Sequence, residues 1–140
     1  NDIYGHQRGD KCLQQVAQAV ADAVQRPTDV VARYGGEEFV VILPETNSDG
    51  AKQVAERIRQ RVLALAIAHS AADNHILSVS IGVATASAKM LMTPQKLIRT
   101  ADNLLYQAKE KGRNRVEVAT VTEFSRTTFT PNQTPQITPQ

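Results

Sequence analysis

The stretch Arg33-Tyr34-Gly35-Gly36-Glu37-Glu38-Phe39-Val40-Val41-Ile42-Leu43 sets two glycines and two carboxylates between short runs of strand-forming residues. It predicts a β-hairpin with strands over residues 29–34 and 38–43, the second closed by Pro44. Adjacent glycines suit a tight two-residue turn, because neither carries a Cβ to oppose positive φ, and they leave bare backbone N–H groups that a phosphate can approach. Two acids just beyond the turn can hold a divalent cation over that phosphate, which phosphoryl and nucleotidyl transfer require. Taken alone, the pentapeptide is equally well an ordinary Gly-Gly hairpin with solvated acids on its exit strand.

On the N-terminal side, residues 9–25 carry Leu13, Val16, Ala17, Val20, Ala21 and Val24 on one helical face, with Lys11, Gln14, Gln18 and Asp22 on the other. Pro27 stops that helix. On the C-terminal side, Ser48 or Asp49 can cap a helix reaching about Ala66, with Ala51, Val54, Ala55, Ile58, Val62 and Leu65 as its apolar face. After a polar loop, Leu77, Val79, Ile81 and Val83 alternate with Ser78, Ser80 and Gly82, the period of a strand whose small-residue face suits an overlying helix. Thr93 and Pro94 form a helix start, Gly112 the matching stop, and residues 115–119 a last short strand. From about Thr120 the chain turns to Thr, Pro and Gln, a composition that buries too little apolar surface to order itself, so residues 119–140 read as a flexible tail behind a domain at 1–118. Helices alternating with strands give an α/β or α+β sandwich, a central sheet with helices packed on it.

The 140 residues suffice for a single core, and sixteen basic against fourteen acidic residues leave a formal charge of +2. That excess is too small to argue for nucleic acid or an anionic membrane as partner. The single cysteine, Cys12, sits among helical apolar positions and cannot form an internal disulfide, which fits a reducing cytosol. No apolar run reaches the length of a bilayer span and no signal peptide is visible.

Several further segments fall in a fixed order around the hairpin. Residues 1–10, Asn1-Asp2-Ile3-Tyr4-Gly5-His6-Gln7-Arg8-Gly9-Asp10, match an N-D-x-[FY]-G-H-x-x-G-D pattern. Arg26-Pro27-Thr28-Asp29 matches R-x-x-D at a set distance before Gly35, and Ala101 to Asn114 matches A-D-x-A-[LM]-Y-x-A-K-x-x-G-R-N. With Ser78-Val79-Ser80-Ile81-Gly82-Val83-Ala84, this set over residues 1–118 resembles the GGDEF domain of bacterial diguanylate cyclases in its GGEEF form. The resemblance implies a mainly antiparallel central sheet like that of nucleotidyl cyclases and polymerase palms. It also implies that Asn1 is preceded by a central strand bearing an Asp and a backbone carbonyl that bind metal. That strand is absent from this sequence, so the chain reads as a fragment with little or no activity by itself.

The activity implied is condensation of two GTP molecules into cyclic di-GMP with release of two pyrophosphates, in a head-to-head homodimer, using Mg2+ or Mn2+. The resemblance makes Glu37 a metal ligand and Glu38 its catalytic neighbour, and it lets Gly35 and Gly36 admit the α- and β-phosphates. Asn1 and Asp10 match the guanine-reading pair, since an amide and a carboxylate together meet guanine's donors and acceptors. By themselves they are a turn residue and a helix cap, and His6 reads as structural. Lys109 and Arg113 match a phosphate clamp, although basic residues also favour helix C-termini without any ligand. Arg26, Asp29 and an accessory Arg57 match a separate inhibitory product site; alone, R-P-T-D is a loop ion pair or helix terminator. Two other classes stay open: a cyclic di-GMP or GTP-binding regulatory module without turnover, and another cyclase or palm-like enzyme. Either way the domain belongs on the cytoplasmic side, in a parent chain that is free or membrane-attached.

Overall fold

A computed structural model describes residues 3–69, 75–87 and 92–121. The chain divides into two compact units, Asn1–Val79 and Ser80–Gln140.

The first unit contains helix α1 (Ile3–Ala23), strands β1 (Val30–Gly35) and β2 (Glu38–Ile42), and helix α2 (Ser48–Ala64). α1 begins before residue 9, where the apolar stripe alone would start it. It buries Val16, Ala19, Val20 and Ala23, and α2 buries Ala51, Ala55, Ile58 and Val62. Those positions repeat at three- and four-residue intervals, so each helix turns one narrow stripe inward. Alanine supplies four of the eight residues, letting the two helices pack on each other closely. The expected face of α1 is rotated slightly: Ala21 is exposed and Ala19 is buried instead. Alanine carries too little apolar surface for periodicity to assign its side. α2 is capped by Asn47, whose side-chain oxygen accepts from the Gly50 N–H at 2.8 Å, one residue before the expected Ser48.

The second unit is a β-α-β run, β3 (Ile81–Ala86), α3 (Pro94–Glu110) and β4 (Val116–Val121). β3 and β4 pair in parallel, Ile81 opposite Val116 through Ala86 opposite Val121, and α3 forms the crossover that parallel strands need. The alternation from Leu77 suggested an earlier strand start, but the ladder opens at Ile81 because its partner opens at Val116. At its far end β4 passes the expected domain limit at residue 118 and reaches Val121. Thr93 caps α3 by accepting from the Lys96 N–H, with Pro94 in the first turn, as the sequence implies.

Gly82 shows how close α3 comes to β3. A Cβ there would overlap the Ala101 carbonyl oxygen and the Leu105 amide nitrogen, and would stand 3.0 Å from the Leu104 carbonyl carbon. The small-residue face of that strand does lie under a helix, and Leu104 and Ala108 are the buried side chains of α3. The class is α+β, as expected. Among the described residues, however, the strands form two ladders, one antiparallel (β1, β2) and one parallel (β3, β4), in place of one mainly antiparallel sheet.

Candidate functional site

β1 and β2 form the expected hairpin, but its turn is shifted by one residue. Gly35 pairs with Glu38, so the two loop positions are Gly36 and Glu37, and Gly35 belongs to the strand. Gly36 adopts φ +54°, which the first position of a two-residue hairpin loop can require and glycine supplies at least cost. The ladder skips a residue between Arg33 and Gly35, leaving Tyr34 as a bulge that sharpens the local twist. Arg33 braces the turn from below, its Nε donating to the Gly36 carbonyl oxygen at 2.9 Å. This contact was not anticipated, although the three-residue spacing could have suggested it. Since Glu37 occupies the loop and Glu38 opens β2, strand alternation does not send these carboxylates to opposite faces. Both are exposed, as are Gly35 and Gly36.

A second cluster in this unit is built on Arg26. Its Nη2 lies 2.7 Å from Asp29 Oδ1, and its Nε is 3.1 and 3.2 Å from the two carboxylate oxygens. Nη2 also donates to the Pro44 carbonyl oxygen and to Thr46 Oγ1, each at 2.6 Å. The Asp29 side chain is enclosed, at 3% exposure, while Arg26 remains 45% exposed. The hydrogen bond from Arg26 holds the Asp29 carboxyl below its ordinary 3.8 despite the opposing effect of desolvation, and Arg26 is raised in return. The pair joins the loop before β1 to the loop after β2, with a shallow depression of about 340 Å3 beside it. Arg57 does not line that depression. Its Nε donates at 3.0 Å to the carbonyl of Ala23, the last residue of α1, although Arg57 lies on the same α2 face as the lining residues Gly50 and Val54.

In the second unit, Lys109 is exposed in the last turn of α3 and Arg113 is exposed beyond the helix end. The helix closes between them. The Gly112 N–H donates to the Lys109 carbonyl and the Arg113 N–H to the Ala108 carbonyl, the paired bonds of a Schellman close. Gly112, Arg113 and Asn114 all take positive φ. Arg115 folds back over this turn, its Nε donating to the Arg113 carbonyl at 3.3 Å, while Lys111 is engaged by Glu117 at 2.5 Å. Neither Lys109 nor Arg113 forms an ion pair among the described residues. Asp10 is exposed in the interior of α1, so it is not the cap of that helix. Asn1 lies outside the described residues, as does the expected tail beyond residue 121; for His6 only the helical backbone is described.

Hard carboxylate oxygens suit Mg2+ or Mn2+, and Mg2+ commonly takes one or two carboxylates and completes its shell with water and substrate phosphate. Glu37 and Glu38 fit that donor set. Among the described residues no group of three or more Asp, Glu, His or Cys converges on one point, at the hairpin or away from it.

The family model described as "Diguanylate cyclase, GGDEF domain" matches residues 1–115. The chain belongs to the GGDEF family. This GGDEF domain is 42% identical over 118 residues to diguanylate cyclase DosC of Escherichia coli strain K12, covering 84% of this chain and 25% of DosC. It is 44% identical over 118 residues to the response regulator PleD of Caulobacter vibrioides strain NA1000, covering 83% of this chain and 25% of PleD. The chain thus spans about a quarter of the length of the curated relatives it matches. Among solved structures it resembles the coiled coil and GGDEF domain of DgcB from Caulobacter crescentus in complex with c-di-GMP. The TM-score is 0.71 with 32% identity, over 85% of this chain and 62% of that one. It also resembles the active GGEEF domain of a diguanylate cyclase from Vibrio cholerae, with TM-score 0.63 and 28% identity, over 84% of this chain and 72% of that one. The fold is therefore that of the GGDEF cyclase domain, a palm-like nucleotidyl cyclase fold.

Proposed function

We propose that this chain belongs to the catalytic domain of a diguanylate cyclase that condenses two GTP into cyclic di-GMP and two pyrophosphates, with one GTP brought by each domain of a homodimer. The observation that carries this reading is the exposed turn of a GGDEF-family chain: glycine at φ +54° with two adjoining carboxylates and no side chain at residues 35 and 36 to bar a phosphate. Gly35 and Gly36 admit the α- and β-phosphates, Glu37 would hold Mg2+ or Mn2+, and Glu38 acts beside it near the attacking 3′-hydroxyl. When bound, that ion supplies Lewis acidity toward the triphosphate and lowers the pKa of the attacking 3′-hydroxyl. Lys109 and Arg113, without ion-pair partners among the described residues, offset the charge of the leaving pyrophosphate. Asn1 and Asp10 read the guanine edge. Arg26, Asp29 and Arg57 form the product site, through which cyclic di-GMP restrains its own synthesis.

Among the described residues no helix is long and apolar enough to cross a membrane. Drawing on the nucleotide pool assigns the domain to the cytoplasmic side. The test is chromatography of nucleotides after the protein containing this domain is incubated with GTP and Mg2+. Cyclic di-GMP accumulates, and Glu37→Gln lowers kcat by about a hundredfold or more. Full activity in the Gln variant, or intact GTP with the unaltered protein, overturns the assignment.

A further inference from the structure

Thr46 takes part in the Arg26 cluster, although no spacing rule within R-P-T-D points to it. A guanidinium has five N–H donors in a fixed plane. The edge formed by Nε and Nη2 faces Asp29, and the remaining Nη2 hydrogen is shared between the Pro44 carbonyl and Thr46 Oγ1. Thr46 itself donates to the Pro44 carbonyl oxygen at 3.0 Å. Its one proton is therefore used, and what it turns toward Arg26 is a lone pair. The two hydrogens of Nη1 have no partner among the described residues. The guanidinium is thus held along one edge and open along the other.

The surroundings make that orientation matter. Besides Arg26, Asp29 and Thr46, the depression is lined by Glu45, Asn47, Gly50 and Val54. Two of its lining residues are acids and Arg26 is the one cation among them, so its aim decides how well this wall receives an anion. Arg26 is 45% exposed, and a free arginine of that exposure samples many rotamers whose loss would oppose binding.

We propose that Thr46 is a positioning residue of the product site, its hydroxyl fixing the Arg26 guanidinium so that the Nη1 edge faces a phosphodiester or guanine acceptor. This inference rests on the reading that Arg26 and Asp29 bind cyclic di-GMP. Valine keeps the shape at residue 46, including the methyl group, which stands 3.1 Å from where a Cβ at Gly50 would lie. It removes only the lone pair and the proton.

The experiment is calorimetric titration of cyclic di-GMP into the protein containing this domain and its variants, with thermal melts alongside. Thr46→Val weakens binding about tenfold and Thr46→Ser stays within about twofold of the parent, as expected for one charge-assisted hydrogen bond. Should valine not be accommodated, the Ser and Ala variants, which differ by a single oxygen, decide in its place with the same tenfold gap. Equal or tighter binding by the Val or Ala variant overturns the proposal, and so does a Ser variant as weak as either. Undiminished binding by Arg26→Ala, or none by the unaltered protein, instead removes the product-site reading beneath it.

Discussion

Gly35 and Gly36 are chemically identical neighbours that the backbone separates. Gly36 sits at φ +54° with nothing within 4 Å of where a Cβ would go, whereas Gly35 lies in β1 with equally open surroundings and no positive φ. Gly36→Ala therefore costs about 1 kcal/mol from backbone conformation alone, while Gly35→Ala leaves the unfolding midpoint nearly unchanged. Urea denaturation of the two variants checks this, and equal losses would contradict the turn assignment. The sequence made the hairpin legible but misplaced its loop, because two adjacent glycines are compatible with either turn register. The Tyr34 bulge that selects between them has no compositional signature.

Among the elements, α3 and β3 depend most narrowly on one position. Gly82→Ala has to push the α3 backbone away from the strand, since the atoms in the way are main-chain atoms that no rotamer change can move. A loss of at least about 2 kcal/mol is expected on overpacking grounds, read as a lowered thermal midpoint; an unchanged midpoint would mean that the two elements are not in such close contact. The helix starts were well encoded where the signal was local. Thr93-Pro94 marked the start of α3 correctly because the cap and the first-turn proline are adjacent. The cap of α2 was misassigned by one residue, since Asn47, Ser48 and Asp49 are all competent and only geometry chooses. Strand pairing was the least legible, because the ladder from Ile81 is fixed by Val116, far away in sequence.

Across the whole molecule, the candidate residues follow from the resemblance of the ordered motifs to the GGDEF family, and what that order does not reveal is their contacts. Thr46 meets Arg26 across twenty positions of sequence, and Arg57 is engaged by the end of α1. The Arg26–Asp29 pair also gives the fold an acid limb. Because the Asp29 carboxyl is held below 3.8 in the folded state, its contribution is fully present above that value and disappears as pH falls through the lower folded value. The raised Arg26 loses its proton only in strong alkali and adds nothing in this range. The stability gap between the parent chain and Asp29→Asn, followed by urea unfolding from about pH 5 downward, should therefore narrow with acidification. A gap independent of pH would show that the ion pair does not act through protonation.

The missing side chain at residue 82 also constrains motion. At that position main chain rests on main chain, so the last helix has no side chain there on which to roll or slide over the ribbon beneath it. Any swing of the helix turn that carries Lys109 must take that ribbon along with it. Loosening this single seam therefore frees the position of Lys109 while leaving every charged residue unchanged.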